Sequence, residues 1–134
     1  MLLDKKEEVI QSLDFIKKTY LKLVVLKQLE KEAHERGEYR SLYELSEDER
    51  ILVEDINKHM KYIVPELVVR KNEAGVSERI SEIERLQDLV IKKSLLLKKN
   101  LEQSCNQTRK KLEHLGKQPV KSTLAAPQIV NIRA

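Results

Sequence analysis

The sequence predicts an all-α protein: an elongated antiparallel bundle of three long helices with coiled-coil-like packing, followed by a flexible C-terminal tail. Three observations carry this expectation. From Ser77 to Leu115 the chain contains neither proline nor glycine, enough for roughly ten helical turns without a breaker. Apolar residues recur three and four positions apart in three successive segments, the spacing of one helix face. Aromatic residues make up 4% of the chain, with one Phe and no Trp, so Leu, Ile and Val must do the packing, which suits thin helix-on-helix seams. With 134 residues, 36% charged and 40% hydrophobic, the chain is one domain's worth. It divides into a helical bundle domain over residues 1–116 and a tail over residues 117–134.

The first helix is expected from about Leu3 to Arg36. Val9, Leu13, Ile16, Tyr20 and Val24 keep the helical spacing, and Leu26, Leu29 and Ala33 continue it on a shifted face. Leu21 to Leu26 alone would pass for a strand, but Lys- and Glu-rich helix formers flank it with no turn signal. Gly37 supplies the stop, since glycine just past a helix end takes the left-handed conformation at little cost.

A second helix is expected over residues 41–70. Two capping boxes compete to open it, Ser41 with Glu44 and Ser46 with Glu49, and the earlier is favoured. Leu42, Leu45, Leu52, Ile56, Met60, Ile63 and Leu67 form a heptad-like stripe broken by Glu49. Pro65 lacks an amide and disfavours helical geometry at Val64, so a kink or an end is expected there. Asn72 to Gly75 reads as the turn into the third helix, with Ser77 as its cap.

The third helix, residues 77–115, carries a stripe through Ile80, Ile83, Val90, Leu97 and Leu101, resuming at Leu112 and Leu115. Gln87, Ser94, Ser104 and Thr108 interrupt it; polar seam positions weaken a zipper while fixing its register. Between Leu86 and Leu97 the apolar residues Leu86, Leu89, Val90, Ile91, Leu95, Leu96 and Leu97 surround most of the circumference. One seam cannot bury them all, so this stretch either lies inside a bundle or receives a helix of another protein. Leu86, Val90, Leu97 and Leu101 are the expected anchors for such a partner helix, with Lys98 pairing at the rim.

From Lys92 onward there are ten Lys and Arg against two acids. Cations near a helix C-terminus complement its dipole, and they also suit an acidic partner. Nucleic acid is disfavoured as a partner, because no aromatic follows Tyr62 to stack on bases. After Gly116 the prolines Pro119 and Pro127 and small polar residues announce the tail. It closes on Ile129, Val130 and Ile132, read either as a strand packing back on the bundle or as a short docking motif on a tether.

Chemistry is sparse. His34, His59 and His114 are scattered, with no pair at the four-residue spacing that grips zinc. The acids alternate with Lys and Arg as surface pairs do, and no glycine-rich phosphate loop or nucleophile elbow is present. An enzyme is therefore not expected, nor a cofactor, a metal or a small-molecule substrate. The lone Cys105 cannot form an internal disulfide, and a charged amino terminus without a membrane-length apolar run points to a cytoplasmic protein with no membrane insertion.

The order of features resembles FlgN-type flagellar export chaperones, particularly the divergent spirochaete kind. The likeness rests on the acidic segment YELSEDERILVEDINKHMKYIVPEL at residues 43–67, above all ERILVEDI at Glu49–Ile56 and the Ile63-Val64-Pro65-Glu66-Leu67 run, and on Pro127-Gln128-Ile129-Val130-Asn131-Ile132. The resemblance implies a cytoplasmic type III export chaperone that holds hook-filament junction (hook-associated) proteins and delivers them to the export gate. Client contacts would fall to the long last helix at Val90, Leu97, Leu101 and their neighbours, and gate docking to Ile129, Val130 and Ile132. Two other readings stand beside it: a structural coiled-coil component of an export apparatus, which admits a homodimer along the same stripe, and a basic helical nucleic-acid binder.

Overall fold

The computed structural model describes residues 4–115. They form three α-helices, α1 (Lys5–Glu35), α2 (Tyr39–Arg70) and α3 (Val76–His114), with no strand among the described residues. The helices hold 31, 32 and 39 residues, or about 45 to 60 Å each at the helical rise of 1.5 Å per residue. The fold is the all-α bundle expected. The chain separates into two compact units within α3, Met1–Lys92 and Lys93–Ala134.

Each helix end has an identifiable cause. Asp4, in extended conformation, accepts the Glu7 amide at 2.8 Å through its carboxylate and starts α1. At the other end Gly37 adopts φ 71°. Its amide donates to His34 O at 3.1 Å, and the Glu38 amide donates to Ala33 O at 2.9 Å, the paired bonds of a Schellman stop. Neither serine box opens α2. The helix begins at Tyr39, so Ser41 and Ser46 lie inside it, and the buried Ser46 hydroxyl donates to Leu42 O at 3.0 Å. The left-handed Gly37 has already turned the chain, and α2 starts two residues later without waiting for a side-chain cap. Likewise Ser77 is not the cap of α3: Gly75, at φ 85°, makes the turn, and Val76 enters the helix fully buried.

Pro65 does not end α2, which continues to Arg70. A helical proline leaves the carbonyl four residues earlier without its donor. Here that carbonyl belongs to Lys61, and both Lys61 and Pro65 are exposed, so water can take the place of the missing amide.

Within Met1–Lys92, α1 and α2 form an antiparallel hairpin. Lys5 meets Glu66, Phe15 stacks on His59, and Lys27 meets Glu49, partner numbers falling along α2 as they rise along α1. The first turns of α3 run parallel to α1: Asp14 pairs with Arg79 and Lys17 with Glu82. Val9, Leu13, Ile16 and Leu23 of α1, Ile56 and Ile63 of α2, and Val76 and Ile83 of α3 make one apolar core.

The later part of the α1 stripe departs from expectation. Leu29 is exposed and Val24 and Leu26 only half-buried, while Leu23, Lys27, Glu30 and Ala33 are buried. The seam keeps the register set by Val9 and Ile16 and accepts polar residues where that register places them.

Candidate functional site

Two features stand out from the packing: a buried charge cluster in the hairpin, and the apolar residues that α3 leaves uncovered. In the cluster, Lys27 is buried on α1 and pairs with Glu30, one turn on and equally buried, at 3.6 Å. It also pairs with Glu49, which reaches across from α2. One ammonium thus serves two carboxylates between two helices. Taking charges out of water costs several kcal/mol per ion, and the mutual attraction offsets this only when the geometry is good. The sequence carried a signal for this cluster. Lys27 and Glu30 stand four and seven residues after Leu23, in helical step with the seam, and Glu49 is the break in the α2 stripe. The missing step was to connect the two. Nearby Thr19, also buried, donates its hydroxyl to Phe15 O at 2.9 Å and so needs no partner across the seam.

On α3 the expected anchors are covered. In the first unit Leu86 is buried and Val90 is half-buried at the edge of the apolar core. In the second, Leu97 and Leu101 are 2% and 3% exposed. The apolar residues at the surface are Leu89 and Ile91 in the first unit, and Leu95 and Leu96, 62% and 50% exposed, in the second. The excess inferred from the circumference of this helix is real, and it lies on the side chains beside the expected ones. Lys98 is exposed. Residues 93–115 carry six basic side chains against two acidic ones, so Leu95 and Leu96 sit in a cationic surround. Ile129, Val130 and Ile132 lie outside the described residues.

Two of the histidines make ring contacts. His59 stacks on Phe15 with ring centroids 4.0 Å apart and planes at 19°, its Nδ1 lying 3.0 Å from Asp55 O. His34 lies edge-on to Tyr39 at 6.5 Å. Among the described residues no helix is long and apolar enough to cross a membrane. Compared with known proteins, the chain matches no protein family, no curated protein and no solved structure at a significant level.

Proposed function

We propose that the chain is a non-enzymatic export chaperone of the FlgN type, a cytoplasmic protein that holds hook-associated flagellar subunits and passes them to a type III export gate. The observation that supports this reading is the exposure of Leu95 and Leu96 amid lysines on α3. A helix whose far side is also apolar matches the surface that an amphipathic client helix would cover. Client contact would then begin at Leu95, Leu96 and Lys98, while the covered Leu86, Leu97 and Leu101 become available only if their present neighbours move. Ile129, Val130 and Ile132 remain the proposed gate-docking residues.

The test is binding of purified hook-associated subunits to the full chain. Leu95→Ala with Leu96→Ala should weaken binding more than tenfold and leave the melting temperature unchanged, since central contacts commonly contribute 2 kcal/mol or more and exposed positions contribute little to folding. Leu97→Ala with Leu101→Ala should lower the melting temperature, because each removes buried aliphatic surface at a cost of about 2–5 kcal/mol. Indifference of the wild-type chain to these subunits would end the proposal.

A further inference from the structure

The last turns of α2 carry a second apolar face, on the side turned away from the core. Ile63 and Leu67 point inward, Ile63 fully buried and Leu67 packed against the apolar cluster. On the opposite side Tyr62, Val68 and Val69 are 69%, 70% and 77% exposed, with Val64 and Pro65 exposed between them. At about 100° per residue these five cover an arc of about 160° centred opposite Ile63. From Tyr62 to Val69 the only charged residue is Glu66. A helix apolar all round belongs in an interior, yet half of this one is exposed. Single exposed apolar residues are ordinary, whereas a contiguous set marks an interaction surface. Valine sharpens the point: its branched side chain lowers helix propensity, and at Val64, Val68 and Val69 no buried packing offsets that loss.

Charge identifies the occupant. Lys58 and Lys61 lie within the same arc, and Lys71 follows at its end, all three exposed. Of the acids beside these lysines, Glu54, one turn before Lys58, is held by Arg50 at 2.7 Å, and Glu66 turns away to Arg70 at 3.2 Å and Lys5 at 3.5 Å. We infer that this face of α2 docks an amphipathic helix of another protein whose apolar stripe is flanked by Asp and Glu. Short side chains at Val64 and Val68, one turn apart, form a low ridge against which a partner helix can approach closely, with its long apolar side chains to either side. A second copy fits poorly, because pairing this face with itself sets Lys58 and Lys61 against their own kind. A lipid surface fits poorly too, since bilayer-seeking faces carry long Leu, Phe and Trp side chains. The carbonyl of Lys61, released by Pro65, adds an acceptor at the centre of the face.

The test replaces Val68 in the full chain by a photo-crosslinking residue, Val68→p-benzoylphenylalanine, irradiates cells of origin, and maps the adduct to its peptide. The expected adduct lies in a heptad-patterned helical segment of another protein with flanking acids. Lys58→Glu with Lys61→Glu should cut its yield at least tenfold, and Lys58→Arg with Lys61→Arg should preserve it, with the melting temperature unmoved in both. If charge reversal disturbs the fold, Lys58→Gln with Lys61→Gln reads the same dependence and should still lower the yield several-fold. An adduct with a second copy, with lipid or with a basic segment would overturn the inference. So would a yield no greater than that from Glu7→p-benzoylphenylalanine, or one indifferent to the lysines.

Discussion

The two halves of the α1/α2 hairpin share one heptad-like seam and fill it in opposite ways. Away from the turn, Val9, Leu13 and Ile16 meet Ile56 and Ile63, and the seam is filled mainly by aliphatic side chains. Toward the turn, Lys27, Glu30 and Ser46 are buried, with Glu49 reaching in. The apolar half draws its stability from burial, about 1.5–3 kcal/mol for each aliphatic side chain, and tolerates some sliding because one aliphatic contact resembles another. The charged half contributes little net stability but penalises any register that parts Lys27 from its carboxylates. Polar seam residues that fix alignment are well attested in coiled coils. The hairpin is thus stabilised at one end and aligned at the other.

The largest effect should come from breaking the charged half without removing it. Lys27→Ala removes the ammonium shared by the buried Glu30 and the half-buried Glu49 and should cost about 3–5 kcal/mol, read as a lower denaturant midpoint. Leu13→Ala in the apolar half should cost about 2–5 kcal/mol through lost burial and the cavity left behind. Its cost should be insensitive to salt. Removing the charges together, by Lys27→Met, Glu30→Leu and Glu49→Leu, should be neutral or stabilising by up to about 4 kcal/mol. A triple variant as unstable as Lys27→Ala would show that the cluster is a net source of stability, and the contrast between the halves would fail.

The smallest effect should come from surface pairs, which sharpen the contrast because they resemble the buried cluster in chemistry and not in setting. Lys17 hydrogen-bonds Glu82, and its charge adds to the effect, holding that carboxyl below the usual glutamate range. Arg70 does the same for Glu66, chiefly through its hydrogen bond. A carboxyl depressed in the folded state adds stability above its unfolded value. That stability is lost as pH falls from the ordinary glutamate value through the lower folded one. A gradual loss of stability in mild acid is expected, diminished by Lys17→Ala and largely erased by high salt, which screens exposed pairs. Titration of the Glu82 carboxyl by NMR checks it directly: Lys17→Ala should return the value to the ordinary range.

Much of the architecture could be read from residue order because it depends on local physics. Gly37 and Gly75 stand where the backbone takes positive φ, and glycine alone enters that region without steric cost. At Gly75 an added Cβ would also come within 3.4 Å of Arg79 Nη1. The apolar spacing located all three helices to within a few residues, missing mainly at their starts, where Ser41 and Ser77 were expected to cap. Capping preferences are worth only about a kcal/mol, and the tight glycine turns on either side of α2 outweighed them. Pro65 was misjudged for a related reason. The cost of a helical proline depends on whether the freed carbonyl meets water, and exposure is a tertiary property.

Local spacing and composition therefore decide that this chain is helical, where its turns fall and how much apolar surface it carries. They cannot decide which part of that surface is covered. Where apolar residues surround most of a helix, as between Leu86 and Leu97, every face has the same claim to the interior, and spacing alone does not tell that Leu97 is buried while Leu95 and Leu96 are exposed. The same holds for charge. Lys27 and Glu30 stand in step with the α1 seam and Glu49 breaks the α2 stripe, but it is the hairpin, by bringing residue 49 back beside residue 27, that joins them into one buried cluster. Burial belongs to pairs of distant segments, and a periodicity within one segment holds no information about its partner.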